Sequence, residues 1–134
     1  MKSHQYFTKI GRQHLDQFKH VNNAQYLNLY EDARWDLITQ NGFGLEKIKE
    51  TGLGPVILEA KITFEKELIL DDEILIETLL LSYEKKIGKL EQVIKKKNMT
   101  CSRAEFLFGL FDLVKRELVL PIPEWLSAVG LHHR

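Results

Sequence analysis

Asn22-Asn23-Ala24-Gln25-Tyr26-Leu27-Asn28-Leu29-Tyr30-Glu31-Asp32-Ala33-Arg34-Trp35-Asp36-Leu37-Ile38-Thr39-Gln40-Asn41-Gly42 carries the clearest helical period in the chain. Within it Tyr26, Leu27, Tyr30, Ala33, Leu37 and Ile38 recur at three- and four-residue spacing, so they form one apolar stripe. Asn22 with Gln25 three positions later predicts a capping box, and Asn41-Gly42 supplies the stop. The helix is therefore expected over 22–41. Arg34 falls at the edge of the stripe one turn from Glu31, which predicts an ion pair on the helix flank.

On either side of this helix the pattern turns to strands. Residues 5–13 are expected to form a first strand. Val56, Leu58, Ala60, Ile62 and Phe64 alternate with polar neighbours, which predicts a long strand with those five on its core face. Asp71-Asp72 marks a turn, and residues 74–83 read as a strand with apolar residues on both faces. Gly88 opens a third strand over 90–97, polar enough to predict a place near an edge or a surface. Asn98-Met99 turns into a fourth over 101–113, rich in phenylalanine. Pro121 and Pro123 end the last extended piece, and a helical turn is expected around Trp125.

The order is strand, long helix, then four antiparallel strands. This is an α+β layout in which about five strands pack on one helix. One helix covers one face. Leu75, Leu79, Leu81 and the Phe106, Phe108, Leu110 set would leave the other face apolar, which predicts a homodimer or homotetramer.

Composition bounds the rest. At 134 residues and 15.7 kDa the chain suits a single domain over 1–134. Nineteen Lys and Arg balance nineteen Asp and Glu, so there is no basic excess of the kind that marks a nucleic-acid binder. The lone Cys101 rules out an internal disulfide and fits a reducing compartment. No signal peptide is expected at the N-terminus, and the apolar runs are too short for a membrane span. A soluble, cytoplasmic protein is the expectation.

Chemistry concentrates in Asp16-Gln17-Phe18-Lys19-His20-Val21-Asn22-Asn23-Ala24-Gln25-Tyr26, which sets a carboxylate, an imidazole and two amides just before a helix. Unpaired N–H groups at a helix start can hold a developing oxyanion. Asp16 can act there as base or nucleophile on a substrate carbonyl, and His20 can polarise that carbonyl or place a water. The bland alternative is that Asp16 and Asn22 are turn and cap residues, with His20 structural. His14, Asp16 and His20 lack the Cys or paired-His spacing that would support a metal site, so none is expected.

The string Leu15-Asp16-x-x-x-His20-Val21-Asn22-Asn23-x-x-Tyr26-Leu27, with Glu31-x-Ala33-Arg34 one turn on, resembles the signature of hotdog-fold acyl thioesterases. These include the 4-hydroxybenzoyl-CoA thioesterase-like group and the acyl-carrier-protein thioesterases. The resemblance extends along nearly the whole chain. It implies a single hotdog domain, an antiparallel sheet wrapped around one long helix, with active sites between paired subunits. It also implies hydrolysis of an acyl-CoA or acyl-carrier-protein thioester to free acid and thiol, with no cofactor beyond the coenzyme A of the substrate.

Residue by residue, the resemblance casts Asp16 as catalytic base or nucleophile and His20 as the group near the thioester carbonyl. Asn22, Asn23 and Tyr26 become helix-start and substrate-side support. Phe64-Glu65-Lys66-Glu67-Leu68 resembles a strand end in the acyl-carrier-protein enzymes, so the resemblance makes Glu67 the counterpart of their catalytic glutamate, with a solvated strand-end carboxylate as the alternative. Phe18 and Lys19 depart from the pattern, because many relatives carry a small or polar residue and then glycine or a polar residue. His14 stands where many carry an acid. Lys95-Lys96-Lys97 is a candidate phosphate contact or a plain solubilising edge. A non-catalytic module that binds acyl thioesters is the alternative function.

Overall fold

Six strands form one antiparallel sheet in the computed structural model, which describes residues 3–131. In chain order the elements are β1 (His4–Lys9), a 3-10 turn (Arg12–His14), α1 (Asn23–Gln40), α2 (Leu45–Thr51), β2 (Leu53–Phe64), β3 (Glu73–Glu84), β4 (Ile87–Lys96), β5 (Met99–Asp112), β6 (Glu117–Val119) and α3 (Pro123–Ala128). The sheet order is β1-β3-β4-β5-β2. β6 pairs with β5 at Leu110, Phe111 and Asp112, beyond the point where β4 ends against Phe108. The fold class is α+β as expected. The single helix gives way to three, of which the 18-residue α1 is the longest.

α1 starts and stops where its caps predict. Asn22 Oδ1 accepts from Ala24 N–H at 2.9 Å, and the Asn41 N–H returns to the Leu37 carbonyl. The reciprocal half of the expected capping box is absent, because Gln25 Oε1 accepts from Asn28 Nδ2 instead. The buried stripe of α1 is Tyr26, Leu29, Tyr30, Ala33, Leu37 and Ile38, with Leu27 exposed. It lies on a sheet face built from Ile74, Ile76, Leu80, Leu90, Ile94, Ala104, Phe106, Phe108 and Leu110.

Four expectations about the sheet are corrected. The first strand ends at Lys9, and the chain then tightens into the 3-10 turn before Leu15. β4 is not an edge but lies between β3 and β5, and its polar residue Gln92 is wholly buried. Phe106, Phe108 and Leu110 are on the helix-covered face, with Phe106 edge-on to Tyr30 at 5.7 Å. The opposite face mixes Leu75, Leu79 and Val93 with charge pairs such as Lys95–Glu77 at 2.6 Å.

The fourth correction concerns β2. A bulge at Leu58 separates the pair Ile57↔Phe108 from the pair Glu59↔Leu107. One extra residue reverses which face each side chain takes. Ala60, Ile62 and Phe64 therefore share a face with Phe106, Ala104 and Ser102, whereas on the other side of the bulge it is Ile57, not Val56, that shares that face. β2 also ends the sheet, so Ile57, Leu58 and Phe64 remain exposed.

Candidate active site

The loop before α1 is shaped by short-range hydrogen bonds. Asp16 N–H donates to the His20 carbonyl at 3.0 Å, and Lys19 N–H to the Asp16 carbonyl at 3.0 Å. Asp16 Oδ1 accepts from Phe18 N–H at 2.8 Å, which makes Asp16 an Asx-turn residue. This turn forces Lys19 to φ +65°, a left-handed conformation that glycine adopts without cost. His14, buried, takes no part in the turn; its Nδ1 accepts from Gly11 N–H at 2.9 Å.

The turn leaves the second carboxylate oxygen of Asp16 towards His20, with Oδ2 3.8 Å from Nδ1. Phe18 stacks on the His20 ring at 6.0 Å between centroids, with 14° between planes. Phe18 is itself 70% exposed. At the helix start, Asn22 Oδ1 takes the Ala24 N–H and the Asn22 carbonyl takes the Gln25 N–H. Asn23 opens the first turn and is exposed.

A second segment meets this loop. Val21 N–H donates to the Leu68 carbonyl at 2.9 Å, and His20 forms a single antiparallel bridge with Ile69. This pairing brings Glu67, in the loop after β2 and exposed, to the same end of α1. Glu67 is near enough to Tyr26 to help raise the tyrosine pKa, after burial and Cys101. Tyr26 is buried and meets Phe64 edge-on at 4.8 Å. The loop is closed by Asp72, whose Oδ2 accepts from Ile69 N–H at 2.9 Å and from Lys96 Nζ at 2.9 Å.

Asp16, His20, Asn22, Asn23, Tyr26 and Glu67 thus gather at one end of α1, where these two backbone contacts join the segments that carry them. The lysine run is less free than its sequence suggests: Lys95 is held by Glu77 and Lys96 by Asp72. Among the described residues no three His, Cys, Asp or Glu side chains converge as a metal set.

Arg34 is the residue whose setting the sequence conceals. Its Nη1 donates to Gln92 Oε1 at 2.9 Å, and its Cζ lies 4.4 Å from the Phe106 ring centroid. The expected ion pair with Glu31 is not formed. Burial pulls the guanidinium pKa down to about 10, and Glu31 opposes that only at a distance. The signal available in the sequence was a lone glutamine at a core-facing strand position, legible only once β4 is known to be central.

Residues 11–129 match the thioesterase-like superfamily. The chain belongs to that family. Its sequence is 34% identical over 86 residues to the long-chain acyl-CoA thioesterase FadM of Escherichia coli (strain K12), a match that spans 64% of this chain and 64% of that relative. The fold superposes on YbaW, a probable thioesterase of Escherichia coli, with a TM-score of 0.81 and 26% identity, covering 95% of this chain and 96% of that one. It also matches Slr0204, a 1,4-dihydroxy-2-naphthoyl-CoA thioesterase from Synechocystis (TM-score 0.86, 17% identity, 98% and 99% covered). The likeness to Slr0204 speaks for the fold alone. The resemblance to hotdog-fold acyl thioesterases read from His20-Val21-Asn22-Asn23 therefore stands. No helix among the described residues is long and apolar enough to cross a membrane.

Proposed function

We propose that this chain is an acyl-CoA thioesterase, hydrolysing a thioester to a free acid and a thiol as one hotdog domain in the cytoplasm. The observation that carries the reading is the Asp16 carboxylate, fixed through one oxygen by Phe18 N–H with the other oxygen 3.8 Å from His20. Membership of the thioesterase-like superfamily supports it.

In this reading Asp16 takes a proton from water as the water oxygen attacks the thioester carbonyl carbon. The helix start and His20 stabilise the oxyanion, the C–S bond then breaks, and the thiolate recovers the proton. Direct attack by Asp16, followed by hydrolysis of the anhydride, uses the same placement. Glu67 assists from the facing loop, with Asn22, Asn23 and Tyr26 supporting the helix start and the substrate. The chemistry runs on these groups without a cofactor; coenzyme A arrives as part of the substrate. The exposed β2 edge, with Ile57, Leu58 and Phe64 uncovered, supports a homodimer or homotetramer.

One observation favours a second reading. The Asx turn at Asp16 has a structural role of its own, which is what a non-catalytic module binding acyl thioesters would retain. A thiol-release assay over short, long and aromatic acyl-CoAs, and over acyl-carrier-protein thioesters, separates the two. Turnover on any of them supports the enzyme; tight binding without turnover on all of them supports the module.

A further inference from the structure

A cavity of about 190 Å³ lies under the C-terminal half of α1 and is not used by the proposed hydrolysis. Trp35 from α1, Ile57 from β2, Leu90 from β4, Phe108 from β5 and Trp125 from α3 make its walls apolar. Two charged residues of α1, Glu31 and Arg34, complete the lining. Roughly 16 Å of helix rise separates Arg34 from Asn23, so the cavity is distinct from the Asp16–His20 end.

The Arg34 guanidinium is held in place by a built network. Gln92, which accepts from it, is wholly buried and is itself locked by two bonds from Nε2, to the Tyr30 carbonyl at 3.1 Å and to Thr78 Oγ1 at 3.0 Å. The Phe106 ring fixes the plane from the other side. A guanidinium carries five N–H donors. Among the described residues one of them is hydrogen-bonded, and no ion pair includes Arg34. Glu31 also borders the cavity but is exposed and bonds to nothing there.

A positioned cation with unused donors, set in an apolar wall, is complementary to an apolar molecule that ends in a carboxylate, because Arg matches that fork bidentately. Size agrees. A dry cavity of roughly 150 Å³ is enough to hold benzene, so this one takes a ring-sized or short branched body.

We infer that this cavity binds a small apolar carboxylate, its oxygens on Arg34 and its body against Trp35, Phe108 and Trp125. The carboxylate has two available sources: a free acid, or the carboxylated far end of an acyl group still joined to its thiol. The binding claim stands apart from the thioesterase reading; only the second source rests on it.

Trp35 and Trp125 are the only two tryptophans in the chain, and both line the cavity, so intrinsic fluorescence reads occupancy directly. Titration of the full chain with benzoate is expected to saturate, with benzyl alcohol at least tenfold weaker. Arg34→Met should erase that preference. Should Arg34→Met not fold, Arg34→Lys keeps the charge but loses the fork, and should weaken benzoate several-fold. Asp16→Asn should bind benzoate as the wild type does. A linear, unsaturable response to benzoate overturns the inference, as does equal affinity for benzyl alcohol or indifference to both Arg34 substitutions.

Thiol release from hexadecanoyl-CoA and from the same acyl chain ending in a carboxylate, long enough to span the roughly 16 Å of helix between the two places, identifies the source. A loss confined to the carboxylated substrate in the Arg34 variant points to the far end of the acyl group. No change on either substrate, with benzoate binding lost, points to a free acid. If no thioester is turned over, the thioesterase reading fails while the benzoate titration still decides this one.

Discussion

Asp16 presents one carboxylate oxygen to Phe18 N–H at 2.8 Å and the other to His20 Nδ1 at 3.8 Å. The two oxygens are thereby divided between holding the turn and facing the imidazole. Substitution can separate these roles, since Asn keeps an oxygen that accepts from Phe18 N–H and loses only the charge. Asp16→Asn is expected to leave the melting temperature within a few degrees of wild type and to abolish measurable thiol release. Near-wild-type turnover in that folded variant would remove Asp16 from the chemistry.

His20→Ala should be milder. Loss of one group that stabilises an oxyanion typically costs about a hundredfold to a thousandfold, and the helix start remains. Steady-state assays should show a fall in kcat with residual activity. Phe18→Ala, which removes the ring stacked beside the imidazole and keeps the imidazole itself, is expected to fall less than His20→Ala. An equal loss in both variants would mean that His20 acts only by packing.

Tyr30 tests the buried polar chain. Its hydroxyl donates to Ser102 Oγ at 2.6 Å, which in turn donates to the Thr63 carbonyl at 2.9 Å. Tyr30→Phe should cost about 1 kcal/mol, read as a small drop in melting temperature. Burial raises the Tyr30 pKa above the ordinary tyrosine range. The proton therefore stays on in the folded state after the unfolded chain has begun to lose it. This contribution is fully present below about pH 10 and is lost as pH rises through the folded value, at about 1.4 kcal/mol per pH unit. Denaturant titrations above pH 10 should fall less steeply for Tyr30→Phe than for wild type.

Gln92→Leu removes the acceptor of Arg34 and the donor to the Tyr30 carbonyl at once. A half-buried guanidinium and a buried carbonyl then lose partners, at a cost of about 3 kcal/mol. Thermal unfolding should shift down by on the order of 10 °C. A shift of a degree or two would show that water replaces the glutamine without loss.

Light scattering at micromolar concentration should give at least twice the chain mass. Leu58→Lys, which places charge on the uncovered bulge of β2, is expected to shift the population towards monomer. A wild-type monomer at all concentrations would leave the β2 edge without the partner proposed for it.

Much of this protein was legible in residue order, wherever the physics is local. The span of α1 follows from its caps and its three-and-four spacing, and the strands follow from their period of two. The gathering of Asp16, His20, Asn22 and Asn23 needs only one turn and one helix start. Non-local facts were hidden. A single extra residue at Leu58 reverses which side chains of β2 share a face with Phe106 and Phe108, and alternation read along one strand carries no trace of its partner's register. The place of β4 between β3 and β5 depends on pairing across the sheet, so a polar strand looked like an edge while Gln92 was in fact wholly buried. Arg34 shows the same limit. Its neighbour one turn away, Glu31, was visible in the sequence, but burial and the reach of a long side chain turned it to Gln92, 58 residues distant.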